Sequence, residues 1–169
     1  MRLSQLLFLF SLFFILTACG YKPSTHYAKE ELKGKIFVSL IIDLEDPRNA
    51  VLIKDAMNEI IVHRLDSKIV YNRELADTIM ELKLKSVSMS VLQDDDQGYN
   101  KLYKATVMIQ VAYNNQEVIK SFTVSGDYDF SIDAGTTISD TRRFEAIRSA
   151  ASEALEEVIS KIAVNSFKK

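Results

Sequence analysis

The chain has 169 residues, 21 basic and 23 acidic side chains, a formal net charge of −2 and one cysteine. That near-balance offers no basic footprint for nucleic acid. A single cysteine builds neither a disulfide framework nor a thiolate metal site, and the length suits one domain with a sizeable core.

The first element is a leader. Arg2 precedes an apolar run from Leu6 to Ile15, and Leu16-Thr17-Ala18-Cys19-Gly20 follows. A positive start, a short apolar segment and small residues at a cut site make a secretory signal. Leu6 to Ala18 is shorter than the roughly 20 residues a membrane-spanning helix needs. The cut site resembles the lipobox of bacterial lipoproteins. That resemblance implies cleavage between Ala18 and Cys19, a diacylglycerol thioether on the Cys19 sulfur and acylation of its new amine. Several acyl chains anchor firmly, because each buried methylene contributes roughly 0.8 kcal/mol and one chain alone is marginal. Gly20, not Asp, follows the cysteine, and by the same resemblance this permits export to the outer membrane. Residues 1–18 are thus a lipoprotein signal peptide and 19–34 a lipidated tether, in which Pro23 opposes regular structure. Residues 35–166 form one domain.

The domain starts with a strand from Lys35, with Ile36, Val38, Leu40, Ile42 and Leu44 on one face. Asp46-Pro47 then opens a helix, Asp46 as cap and Pro47 at its first position. Ala50, Ile53, Met57, Ile60, Ile61 and Leu65 form its apolar stripe. Lys68-Ile69-Val70-Tyr71 is a short extended piece or the tail of a turn. Thr78 to Val91 alternates as a long strand, Met80, Leu82 and Leu84 on one face. At Ser86 the phase switches to Val87, Met89 and Val91, the signature of a bulge or strong twist. The acidic turn through Asp94-Asp95-Asp96 lacks the ligand spacing of a calcium loop.

Tyr99 to Tyr113 is the next strand. Asn114-Asn115 is a two-residue turn, and a return strand runs from Glu117 to Phe130, bent at Gly126. A second helix, capped by Asp140 or Thr141, carries Phe144, Ile147, Ala151, Ala154, Leu155, Val158 and Ile162 as one stripe. Small residues at 150, 151 and 154 allow it a close approach. The order strand, helix, three strands, helix predicts an α+β two-layer sandwich. Two helices pack on one face of a four-stranded, mostly antiparallel sheet. The other face is polar, with Lys83, Lys85, Lys104, Thr106, Gln110, Ser121 and Thr123 as its members.

A lipobox continuing as Cys19-Gly20-Tyr21, the Ala76-Asp77 step before the Leu82 and Leu84 strand, and the hairpin at Asn114-Asn115 resemble the LptE family of lipopolysaccharide-assembly lipoproteins. The resemblance implies no catalysis and no cofactor. It implies a plug inside the LptD outer-membrane β-barrel that assists barrel assembly and delivery of lipopolysaccharide to the cell surface. The place implied is the periplasmic face of the outer membrane, held through Cys19. A rigid sandwich with a polar face suits a polar barrel lumen. Lipid A phosphates would be met by Lys or Arg, with Lys83, Lys85, Lys104, Arg142 and Arg143 as candidates. Each of these is also readable as an ordinary solubilising charge.

The chain has no Gly-rich phosphate loop, Gly-x-Ser-x-Gly elbow or His-Glu-x-x-His. Its two histidines, His26 and His63, have no cysteine or acidic pair at metal-ligand spacing. The alternative to the barrel-plug reading is a lipoprotein that regulates another envelope complex, such as a peptidoglycan synthase or a transporter.

Overall fold

The computed structural model describes residues 22–41, 47–94, 98, 100–133 and 136–167. The leader, the lipobox with Ala18 and Cys19, the end of the first strand after Ile41 and most of the acidic turn lie outside the described residues. The elements in chain order are α1 (Ser24–Glu31), β1 (Lys35–Ile41), α2 (Pro47–Leu65), β2 (Lys68–Ile69), a 3-10 turn (Arg73–Leu75), β3 (Thr78–Asp94), β4 (Asn100–Asn114), β5 (Ile119–Ser131) and α3 (Asp140–Ser166).

The α+β class and its two layers hold, but the sheet is larger and mixed. Five strands, not four, are ordered β2-β1-β3-β4-β5. β1 runs parallel to both β2 and β3, while β3-β4-β5 is an antiparallel meander. The added strand is Lys68–Ile69, which pairs with Lys35 and Ile36. Two residues leave almost no alternation to detect.

Three helices, not two, pack on the sheet. The segment expected to be tether contains α1, with Pro23 as its N-cap at φ −64°. Just ahead of the first turn a fixed φ near this value costs nothing. Tertiary burial holds this eight-residue helix, since Ala28 and Leu32 are 0% and 1% exposed; helices this short are marginal alone.

Asp77 closes the junction between α1 and the sheet. Its Oδ2 accepts from Lys35 N at 2.7 Å, and its own N–H donates to Lys35 O at 2.8 Å. Thr78, fully buried, donates from Oγ1 to Lys33 O at 3.0 Å. Gly34 takes φ +75° beside this contact, and a Cβ there would lie 2.2 Å from Asp77 Oδ2. Glycine is the residue that adopts this backbone without strain.

The core lies between the sheet and the helices. It combines Ile36 and Val38 of β1, Ile53, Met57, Ile60, Ile61 and Leu65 of α2, and Met80 and Leu82 of β3 with Ala105, Val107, Ile109, Val111 and Tyr113 of β4. The phase switch in β3 is real. Its register with β4 shifts between Leu84 and Ser86, leaving Lys85 as the extra residue.

α3 supplies Ile147, Ala151, Ala154, Leu155, Val158 and Ile162 to the core as expected. Phe144 is the exception. It is 40% exposed. The cap of α3 is Ser139, whose Oγ accepts from Arg142 N at 3.2 Å, rather than Asp140 or Thr141. Gly126 is a contact point with α3. It is buried in β5, and a Cβ there would sit 2.2 Å from Ala150 O and 2.3 Å from Ala154 N. The small residues of α3 thus let the helix backbone rest directly on the strand.

The β4-β5 turn is also longer than predicted. Asn114 pairs with Ile119, so four residues connect the strands. Gln116, at φ 71°, takes the left-handed position. Asn115 Oδ1 accepts from Glu117 N and Val118 N at 3.2 and 2.8 Å, substituting for a tighter turn.

Candidate functional face

With three helices on one side, the opposite side of the sheet is left open among the described residues. Strand alternation places Glu81, Lys83, Ser86, Ser88 and Ser90 of β3 there. Beside them lie Lys104, Thr106, Met108 and Gln110 of β4 and Ser121, Thr123, Ser125, Asp127 and Asp129 of β5. Hydroxyls dominate the middle of this surface, and they are partly cross-linked. Thr106 Oγ1 donates to Asp127 Oδ1 at 2.6 Å, and Gln110 Nε2 donates to Ser121 Oγ at 3.3 Å.

The five candidate cations fall in different settings. Lys104 is held between Asp127 and Asp129 at 3.7 and 3.6 Å, so its charge is offset on the face itself. Lys83 pairs in register with Gln110 and Ile41, and Lys85 stands exposed on the bulge. Neither makes an ion pair among the described residues. Arg142 and Arg143 lie in the first turn of α3, away from Lys83. Arg142 pairs with Glu145 at 3.7 Å and donates from Nη2 to Ser131 O at 3.4 Å. Arg143 is exposed. The sheet therefore brings Lys83 and Lys85 together at the bulge and leaves the arginines at one end.

A buried polar cluster escaped the sequence. Glu31 of α1 is 6% exposed and accepts from Lys120 Nζ and from the Tyr113 hydroxyl, both at 3.2 Å. Lys120 also donates to Asn165 O at 2.6 Å, and Asn115 Nδ2 donates to Glu31 O at 2.8 Å. α1, the hairpin and the end of α3 meet in this one cluster. Burial, then the Glu31 charge and hydrogen bond, push the Tyr113 hydroxyl far above its ordinary range. The available signal was Lys120, a lysine at an inward register position in β5, opposite Tyr113.

Among the described residues no group of His, Cys, Asp or Glu is arranged to hold a metal ion, and no helix is long and apolar enough to cross a membrane. His63 lines a cleft of about 380 Å³ with Glu59, Arg64, Ser152 and Glu156.

Fold and face together define an α+β sandwich that covers one sheet surface with helices and presents the other as a broad polar platform. The lipopolysaccharide-assembly (LptE) family model matches residues 37–162, and the chain belongs to that family, whose members are non-enzymatic assembly factors. A search of curated proteins finds no match. Similar folds occur in a lipoprotein from Caulobacter crescentus, with TM-score 0.56, 10% identity and coverage of 86% of this chain and 99% of that one. The rare lipoprotein B of Shewanella oneidensis matches with TM-score 0.50 and 17% identity, over 78% and 98%. Lipoprotein B of Nitrosomonas europaea matches with TM-score 0.53 and 8% identity, over 79% and 84%. The matched region spans β1 to α3, so it holds the open face and most of the core.

Proposed function

We propose that this chain is an outer-membrane lipoprotein, anchored through Cys19 at the periplasmic face. There it assists assembly of an LptD-like lipopolysaccharide-export β-barrel and delivery of lipopolysaccharide to the cell surface, as a plug in the barrel. Family membership over residues 37–162 carries this reading. The physical fit lies in the open sheet face. Its hydroxyls and amides can exchange hydrogen bonds with a polar lumen wall, while the core stays sealed beneath the helices. Lys83 and Lys85, which make no ion pair among the described residues, are the contacts for lipid phosphates on this face, with Arg142 and Arg143 as a second group. Lys104 acts through Asp127 and Asp129, which hold it against the sheet.

The test joins anchor and ligand. Cys19→Ser should abolish palmitate incorporation and release the chain from the membrane; labelling of that variant rules out the anchor. Lipopolysaccharide binding by the purified chain should weaken as salt rises, because phosphate contacts near a surface are screened. K83S/K85S should weaken it further at constant thermal stability. Binding that ignores both salt and these lysines rules out the face.

A further inference from the structure

β5 is an edge strand of the sheet, and an edge carries a row of backbone N–H and C=O groups open to any extended chain. Even-numbered residues along this stretch turn those groups toward β4, as Ile132 N does in donating to Lys101 O at 3.1 Å. Odd-numbered residues turn theirs outward, and α3 meets them in succession. Asp127 N donates to Glu153 Oε2 at 3.1 Å and Ser125 N to Glu157 Oε2 at 3.4 Å. Lys161 Nζ donates to Thr123 O at 2.6 Å.

The two repeats are nearly commensurate. Glu153, Glu157 and Lys161 are four residues apart, an axial rise of ~6 Å per step. Their partners are two strand residues apart, ~6.8 Å per step. α3 runs antiparallel to β5, so the three pairs stay in step, and the small mismatch is within the reach of long side chains. The chemistry matches too, with carboxylates facing N–H donors and an ammonium facing a carbonyl.

We propose that Glu153, Glu157 and Lys161 serve as a surrogate sixth strand that keeps a second copy of this chain from pairing along β5. A second copy is the occupant this edge fits. Antiparallel pairing of β5 with itself about Ser125 sets Thr123 opposite Asp127 and Ser121 opposite Asp129. No aspartate then faces another across the seam, and the pairing closes as a two-fold dimer.

Hydrogen exchange on the full chain in detergent tests the contact without any substitution. The Ser125 and Asp127 amides should exchange at least tenfold more slowly than those of Ser121 and Asp129, to which α3 brings no acceptor. Equal rates at all four would overturn the proposal. Sedimentation velocity tests the consequence. E153A/E157A/K161A should sediment as a dimer under conditions where the parent chain is monomeric, whereas E153Q/E157Q, which keeps both acceptors, should stay monomeric. S125C should form an oxidised cross-link in the triple-alanine background only, since directly opposed residues in a hydrogen-bonded pair lie ~5.5 Å apart at Cα, within disulfide reach. The parent chain oxidised alongside reports any contribution from Cys19. A natively folded triple variant that stays monomeric, or an S125C cross-link equal in both backgrounds, overturns the proposal. If the triple variant does not fold, the exchange rates decide alone.

Discussion

Gly126→Ala tests how closely α3 lies on the sheet. The added methyl would sit 2.2 Å from Ala150 O and 2.3 Å from Ala154 N, against an ordinary contact that starts near 3.4 Å. Both obstacles are backbone atoms of a 27-residue helix, so no rotamer change clears them. Relief requires α3 to withdraw by roughly 1.2 Å, which loosens Ala150, Ala154 and Val158 against β4 and β5. Overpacking of this kind costs about 1–3 kcal/mol, occasionally more. Replacing glycine returns only about 0.4–1 kcal/mol through the unfolded chain. The net loss should be about 2 kcal/mol, toward the upper end because backbone must move. For a domain of this size that lowers Tm by about 4–8 °C. Thermal and urea unfolding followed by circular dichroism measures it. An unchanged or raised Tm would show that α3 does not rest on Gly126.

Ile109→Ala should cost about 2–5 kcal/mol by emptying a fully buried site, whereas Phe144→Ala, at an exposed position, should change urea stability by less than about 0.5 kcal/mol. Glu31→Ala should cost about 3–5 kcal/mol, because it strands Lys120 beside a buried tyrosine, and E31L/K120M should recover most of that loss. A double-mutant cycle in urea reads both. Stability should also fall as pH rises above about 10, where the unfolded chain releases a Tyr113 proton that the folded chain retains. The slope approaches about 1.4 kcal/mol per pH unit, and Tyr113→Phe should flatten the high-pH arm of the urea midpoint.

Periodicity made the central structure legible. The stripe of α2 from Ile53 to Leu65, the inward row from Tyr103 to Tyr113, and the slip at Ser86 all follow from spacing, because each runs through enough residues to set a phase. What spacing could not reveal were features decided by tertiary contact. α1 has no strong stripe and forms because Ala28, Glu31 and Leu32 are buried by the rest of the chain. β2 is too short to alternate. Phe144 continues the stripe of α3 in sequence but is 40% exposed. On the open face, spacing located Lys83, Lys85 and Lys104 together. Only the cross-strand neighbours Asp127 and Asp129 distinguish Lys104 from the other two. The edge contacts of Glu153 and Glu157 were equally hidden, since on a helix alone they are solvent-facing acids.

The central claim is that this LptE-family chain acts with a lipopolysaccharide-export barrel. Affinity capture of the full-length lipidated chain from detergent-solubilised outer membranes, with co-purifying proteins identified by mass, tests it most directly. A large β-barrel protein in near-equal molar amount, retained through detergent washes, is the expected result. Recovery of the folded, lipidated chain without any barrel, or with a peptidoglycan synthase or transporter component in its place, would contradict it.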